Sequence, residues 1–245
     1  MKLLSVSFLI ILFFGCSSKS SLKVATSSNM KSAMVDVVTL FQETHHIDID
    51  IIEGSSGKLT AQIENGAPYD IFVSADTIYP NYLFDIGFSV AIPEVYAYGK
   101  LVLWTAKGFI PSLDRLTSSK ISKIAIANPK TAPYGLISDD VLTNYGIYDS
   151  VYDKLVFGES ISQCDTYIYS ESVDIGITSM STVKSDKMKN VGNWVEIDSN
   201  LYDFLPQAAI QIYEKRPHPK AKLFYDFLFS EEVKVILRTY GYQVH

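Results

Sequence analysis

Along residues 22 to 73 the apolar positions switch between a period of two and a helical period, and each switch marks an element. Leu22-Lys23-Val24-Ala25-Thr26 reads as a strand. Ser27-Ser28-Asn29 follows, and then Met30, Ala33, Met34, Val37 and Phe41 fall at helical spacing. Ile47, Ile49 and Ile51 alternate with Asp48, Asp50 and Ile52, which reads as a second strand with one buried face. Gly54-Ser55-Ser56-Gly57 runs directly into a helix with Leu59 and Ile63 on one side. Asn65-Gly66 closes that helix, Pro68 stops it restarting, and Asp70-Ile71-Phe72-Val73 is a third strand. Twice, therefore, the chain runs strand, small hydroxyl-bearing turn, helix.

That repeated arrangement has a chemical meaning. The first turn of a helix carries N–H groups without intrahelical acceptors and the positive end of the dipole, so it holds small anions. Ser55 and Ser56 add hydroxyl donors at one such turn. Loops that follow parallel strands lie at the same sheet edge, so the two turns can meet in one crevice. Ser28 and Asn29 are also good helix caps, and the local pattern leaves capping and ligand binding both open.

Further along, 78 to 93 reads as irregular or weakly helical and aromatic, leading to a buried strand at Lys100-Leu101-Val102-Leu103-Trp104. A crossing into a second lobe is expected around Gly99. That lobe holds strands at 124–127 and 173–177 and a helix from about Leu136 to Tyr145. The return is expected near Pro206 to Tyr213. Ser230 then caps a last helix, with Glu231 and Glu232 in its first turn and Arg238 in its last, as the dipole favours. Alternating strands and helices with two crossings imply two α/β lobes around a cleft, 22–98 with 207–245 as one and 99–206 as the other.

Composition narrows the classes. The chain of 245 residues is 47% hydrophobic, ample for a buried core, and its net charge of −6 with no basic block argues against nucleic acid as a partner. An anion must be held here by directed local donors. Residues 1–15 read as a targeting segment: Lys2, then an apolar run from Leu3 to Phe14 too short to span a membrane comfortably. Gly15-Cys16 at its end resembles a bacterial lipoprotein signal, with cleavage before Cys16, lipid on that cysteine and a tether over 16–21. The alternative is an ordinary secretory signal that contains a cysteine. With Cys16 acylated, Cys164 has no partner and reads as a small packing residue.

The run GSSGKLTAQIENGAPYDIFVSAD from Gly54, with KLVLW at 100–104, IAIANPKTAPYG at 124–135 and RTYGYQV at 238–244, resembles the molybdate-binding proteins of bacterial ABC transporters. These segments lie in the family's order and extend over nearly all of the chain after residue 21. The resemblance implies a two-lobed, periplasmic-binding-protein-like α/β fold of type II, with the ligand cleft between the lobes. It implies capture of molybdate or tungstate outside the cytoplasmic membrane, delivery to a permease with its ATPase, action as a monomer, and no cofactor beyond the bound oxyanion. The family's donors fall on Ser28, Asn29 and Ser56 and on the backbone amides of Tyr134 and Ile161. Some relatives place a ligand-binding tyrosine where this chain has Ser179, which is too short to replace it. A donor-only set suits a tetrahedral dianion without a proton, whereas hydrogen phosphate wants a carboxylate acceptor and none of these positions is Asp or Glu. The alternative within transport is a sulfate-type or broader oxyanion binder, separated by cavity size alone.

Other classes have less behind them. A Ser55 or Ser56 nucleophile lacks a base, since His45, His46, His218 and His245 sit in polar or terminal contexts, so no enzyme activity is expected. His46, Asp48 and Asp50 share one strand face and invite a metal, but a strand with one wet face gives the same pattern. The many tyrosines and phenylalanines also fit a peptide-binding lipoprotein, although aromatics mostly fill cores.

Overall fold

The computed structural model describes residues 21–89, 91–203, 205–212 and 218–245. Strand β1 (Leu22–Ser27) enters a 3-10 turn (Ser28–Met30) and helix α1 (Lys31–His45), and β2 (Ile49–Gly54) enters α2 (Ser56–Glu64). Next come β3 (Ile71–Val73), α3 (Ile78–Asp85) and β4 (Glu94–Gly99). Beyond Lys100 the chain builds β5 (Leu101–Thr105), α4 (Leu113–Leu116), β6 (Ile124–Ala127), α5 (Pro133–Asn144) and α6 (Tyr148–Val151). It continues through β7 (Leu155–Gly158), α7 (Ile161–Tyr169), β8 (Ile175–Ser179), α8 (Met180–Lys184) and β9 (Asn193–Glu196). Then β10 (Leu205–Gln211), α9 (Ala221–Phe227) and α10 (Glu231–Thr239) follow.

The strands form two five-stranded sheets, ordered β2-β1-β3-β10-β4 and β7-β6-β8-β5-β9. In the first, β1 runs parallel to β2 and β3, and β10 is inserted antiparallel between β3 and β4. In the second, β6 runs parallel to β7 and β8, and β5 lies antiparallel between β8 and β9. The first sheet is covered on both faces, which explains why its central strand β3 is apolar throughout. Ile71 and Val73 pack with Met34, Phe41, Phe224 and Leu237 on one face, while Phe72 packs with Leu59, Ile63 and Leu83 on the other. The second sheet has its own core around Trp104, Ile126, Leu142 and Cys164. The Cys164 thiol is fully buried and burial pushes its pKa up to about 12, so it packs as a neutral group.

Three expectations need correction. The stretch from Pro206 belongs to β10, so the return between sheets falls earlier, between Glu196 and Leu205. Residues 94–99, to which the sequence pattern assigns no element, are strand β4. Strand β2 lies at the sheet edge and is half-buried on both faces: Ile51 packs toward the α1 side and Ile52 toward the α2 side. Its neighbour His45 stacks on Phe41 at 4.3 Å between ring centroids, and His46 ends α1 in the left-handed region. Among the described residues, no three His, Cys, Asp or Glu side chains gather as a metal site would require.

Candidate functional site

Four helical starts, two from each sheet, open on one small pocket. After β1 the 3-10 turn brings Ser28 and Asn29, and after β2 the start of α2 brings Ser55 and Ser56. From the second sheet, β6 leads to Tyr134 on α5, and β7 leads to Ile161 on α7. All five residues expected at the ligand, Ser28, Asn29, Ser56, Tyr134 and Ile161, line this cavity, and every one is buried.

Local chemistry prepares each start. Pro133 occupies the first position of α5, where a missing N–H costs nothing, and leaves the amide of Tyr134 as the first donor. The carbonyl of Ala132 already accepts from Gly135 and Leu136. On α7 the Ser160 hydroxyl caps the helix by accepting from Gln163, which leaves Ile161 at the open end. At α2 the N–H of Gly57 donates across the cleft to the Thr131 carbonyl at 2.9 Å. A side chain at Gly57 would meet that carbonyl and the Tyr79 hydroxyl, so close approach of the two lobes requires glycine there.

The hydroxyls are donors in waiting. Those of Ser27, Ser28 and Ser55 are buried with no partner among the described residues. The Ser56 oxygen accepts from the Ala75 amide at 3.0 Å, which leaves its own hydrogen to donate. Among the described residues, no Asp, Glu, Lys or Arg lines the cavity, so its positive potential comes from helix dipoles and N–H groups. Unpartnered buried donors are costly and rare in folded proteins, which marks this spot as one built for an acceptor.

Asn29 differs from expectation in one respect. Both hydrogens of its side-chain amide are committed, to Gln207 Oε1 at 2.9 Å and to the Tyr242 hydroxyl at 2.9 Å. Its backbone carbonyl accepts from the hydroxyls of Ser181 and Tyr242, whereas its side-chain Oδ1 is buried without a partner among the described residues. The donor Asn29 has left for a ligand is its backbone N–H. Ser179 does not line the cavity: it is fully buried, caps α8 by accepting from Thr182, and bonds Ser181.

Sequence reasoning missed the second layer. Gln207, fully buried on β10, also lies 3.1 Å from the Tyr134 hydroxyl and 2.9 Å from that of Tyr96. A lone glutamine inside the apolar run of β10 was the available signal. Asp165, one turn beyond Ile161, was missed as well. It lines an adjoining cavity with Ser28 and Asn29 and accepts from Thr178 and Thr182 at 2.5 and 2.8 Å. Burial pushes its carboxyl up to about 7, against the opposing pull of those two hydroxyls.

Two α/β lobes joined by two crossings, with a pocket fed by helix starts from both, constitute the architecture of a solute-binding protein. Residues 22–243 match the bacterial extracellular solute-binding protein family, and the chain belongs to it. It is 31% identical over 231 residues to the molybdate-binding protein ModA of Azotobacter vinelandii, covering 93% of this chain and 92% of that protein. It is 27% identical over 244 residues to the putative ABC transporter substrate-binding lipoprotein YvgL of Bacillus subtilis, covering 95% and 93% of the two. Among solved structures, the periplasmic molybdate-binding protein of Azotobacter vinelandii superposes with a TM-score of 0.87 at 30% identity, covering 92% of this chain and all of the other. The sulfate-binding protein SubI of Mycobacterium tuberculosis shares the fold, with a TM-score of 0.74 at 13% identity over 92% of this chain and 87% of that one. The two-lobed periplasmic-binding-protein fold expected from the sequence is therefore the fold observed.

Proposed function

We propose that this protein binds molybdate outside the cytoplasmic membrane, takes tungstate by the same contacts, and delivers its cargo to an ABC permease whose ATPase drives import. The observation that carries this reading is the convergence of four helix starts from two lobes on one pocket lined by hydroxyls and, among the described residues, free of carboxylates and cations. Such a cavity satisfies a tetrahedral dianion that accepts on every side. Each charge-assisted hydrogen bond contributes about 1.5–3 kcal/mol. Likeness to the ModA proteins supports the choice of molybdate within the oxyanions.

Capture proceeds by closure. With the lobes apart, the oxyanion reaches the hydroxyls of Ser28 and Ser56 and the amide of Asn29 on the first lobe. Closure then adds the amides of Tyr134 and Ile161 from the second. No bond is made or broken; the protein works as a carrier, as a monomer, and needs no cofactor. The closed form is the one a permease recognises, since only closure creates a surface continuous across both lobes. Cys16 lies outside the described residues. The description of the Bacillus relative as a lipoprotein supports a lipid anchor at this cysteine, which would hold the carrier beside its permease.

Thermal unfolding of the chain from Ser17 onward, with molybdate, tungstate, sulfate or phosphate added in turn, tests the proposal. A ligand at one hundred times its Kd stabilises by about 2.7 kcal/mol, a rise of several degrees. Melting should rise with molybdate and tungstate and stay put with phosphate. An equal rise with sulfate would move the protein to the broader oxyanion binders. No response to any of the four, in ligand-free folded protein, would refute oxyanion binding.

A further inference from the structure

Gln207 sits where the two lobes and the chain crossing meet. The register of β10 against β4 shifts between Gln207 and Ala208, an irregularity of the kind that re-aims a side chain out of the regular sheet alternation. The glutamine is fully buried, and its amide is used at both ends. Oε1 accepts from Asn29 Nδ2 at 2.9 Å and lies 2.9 Å from the Tyr96 hydroxyl, both on its own lobe. Nε2 donates to the Tyr134 hydroxyl at 3.1 Å, which belongs to the other lobe. The contact closes over Gly99, the last residue before the crossing, where a Cβ would stand 2.3 Å from both Gln207 Nε2 and the Tyr134 oxygen.

We infer that Gln207 is a positioning residue that latches the cleft: it ties Asn29 of one lobe to Tyr134 of the other and so sets how long the closed complex lasts. The inference rests on the oxyanion reading above, because it treats the backbone amides of Asn29 and Tyr134 as ligand donors. Each of those residues offers its main chain to the cavity and its side chain to the latch. Closure therefore aligns both donors in the same step that forms the Gln207–Tyr134 bond. Opening separates Tyr134 from Gln207, and the glutamine amide is then free to take water. The latch biases the closed state without touching the anion.

Tyr134→Phe is the clean variant, because it keeps the ring and the amide and removes only the acceptor oxygen. In stopped-flow measurements with molybdate, its dissociation should be about ten-fold faster or more, with association changed less than about three-fold. Paired with Gln207→Ala and the double variant, the cycle should be strongly non-additive in the dissociation rate. A contact that was merely structural would lower melting temperature and leave this rate alone. Equal dissociation from wild type and Tyr134→Phe, or additive effects in the cycle, would overturn the latch while leaving oxyanion binding intact. If wild type binds no oxyanion, the proposed function fails. The latch is then judged by amide hydrogen exchange at residues 28–31 and 133–137 of the ligand-free protein. Faster exchange in Tyr134→Phe upholds it, and identical exchange overturns it.

Discussion

Two serines that look alike in sequence have different duties in the fold, and the difference is measurable. The Ser28 hydroxyl has no partner among the described residues, so Ser28→Ala removes an unsatisfied group and should leave the ligand-free melting temperature unchanged or slightly raised. The Ser56 oxygen accepts from the Ala75 amide, so Ser56→Ala orphans a buried donor and should cost about 1–3 kcal/mol of stability. Both variants should weaken molybdate about 10- to 100-fold in titration calorimetry. A Ser28→Ala protein that binds as tightly as wild type would remove that hydroxyl from the site. Asp165 makes a second case at this scale. Its folded pKa is raised from 3.8 to about 7 by burial, with Glu53 raising it further and Lys31, Thr178 and Thr182 lowering it. A raised carboxyl favours the folded state while protonated, so its contribution is fully present below about pH 4 and is lost as pH rises through about 7. Asp165→Asn should remove that fall and stand on the order of 2–4 kcal/mol above wild type at pH 8. Parallel melting curves for the two proteins from pH 4 to 8 would show that Asp165 does not titrate in this range.

At the scale of elements, the site depends on how closely helix starts seat against strand ends. Gly135 shows this best: a Cβ there would stand 2.4 Å from the Ala127 carbonyl, which is backbone and cannot swing away. Gly135→Ala should push the start of α5 off the end of β6, cost about 1–3 kcal/mol, and displace the Tyr134 amide enough to weaken binding by an order of magnitude or more. Gly108→Ala, with nothing within 4 Å of its Cβ, is the matched control and should change neither stability nor affinity. The same geometry explains what the sequence made legible. Strand, hydroxyl-rich turn and helix start are consecutive in the chain, so β1 to α1 and β2 to α2 are legible locally. The local pattern starts α5 only near Leu136 instead of Pro133, and Tyr134 and Ile161 follow from the family resemblance. Strand β10 is not legible locally: it pairs antiparallel between β3 and β4, more than a hundred residues away in sequence, and its Gln207 breaks the apolar run. Asn29 was found as a cavity residue, but its side chain is spent on Gln207 and Tyr242, partners no local pattern announces.

For the whole molecule, the question is how a protein of net charge −6 attracts a dianion. Two lysines beside the site are paired, Lys31 with Glu53 at 2.5 Å and Lys58 on α2 with Glu159 across the cleft at 2.6 Å, while Lys187, which lines the adjoining pocket with Ser28 and Asn29, lies over the Tyr169 ring. No charged side chain among the described residues lines the cavity. An approaching oxyanion therefore meets long-range repulsion first and attractive dipoles only at contact. These two ranges respond differently to salt. Repulsion is screened as the Debye length falls from about 30 Å at 0.01 M to about 8 Å at 0.15 M, whereas buried, short-range donors are hardly affected. Raising ionic strength across that interval should speed association roughly two- to five-fold and leave dissociation unchanged, so affinity rises with salt. Stopped-flow traces, with tryptophan emission from Trp104 and Trp194 as the signal, separate the two rates. An association rate that falls with salt would mean that the mouth of the cleft carries a positive field of its own. Attraction would then begin at the lysines, and the helix starts would act only after the anion had been delivered to them.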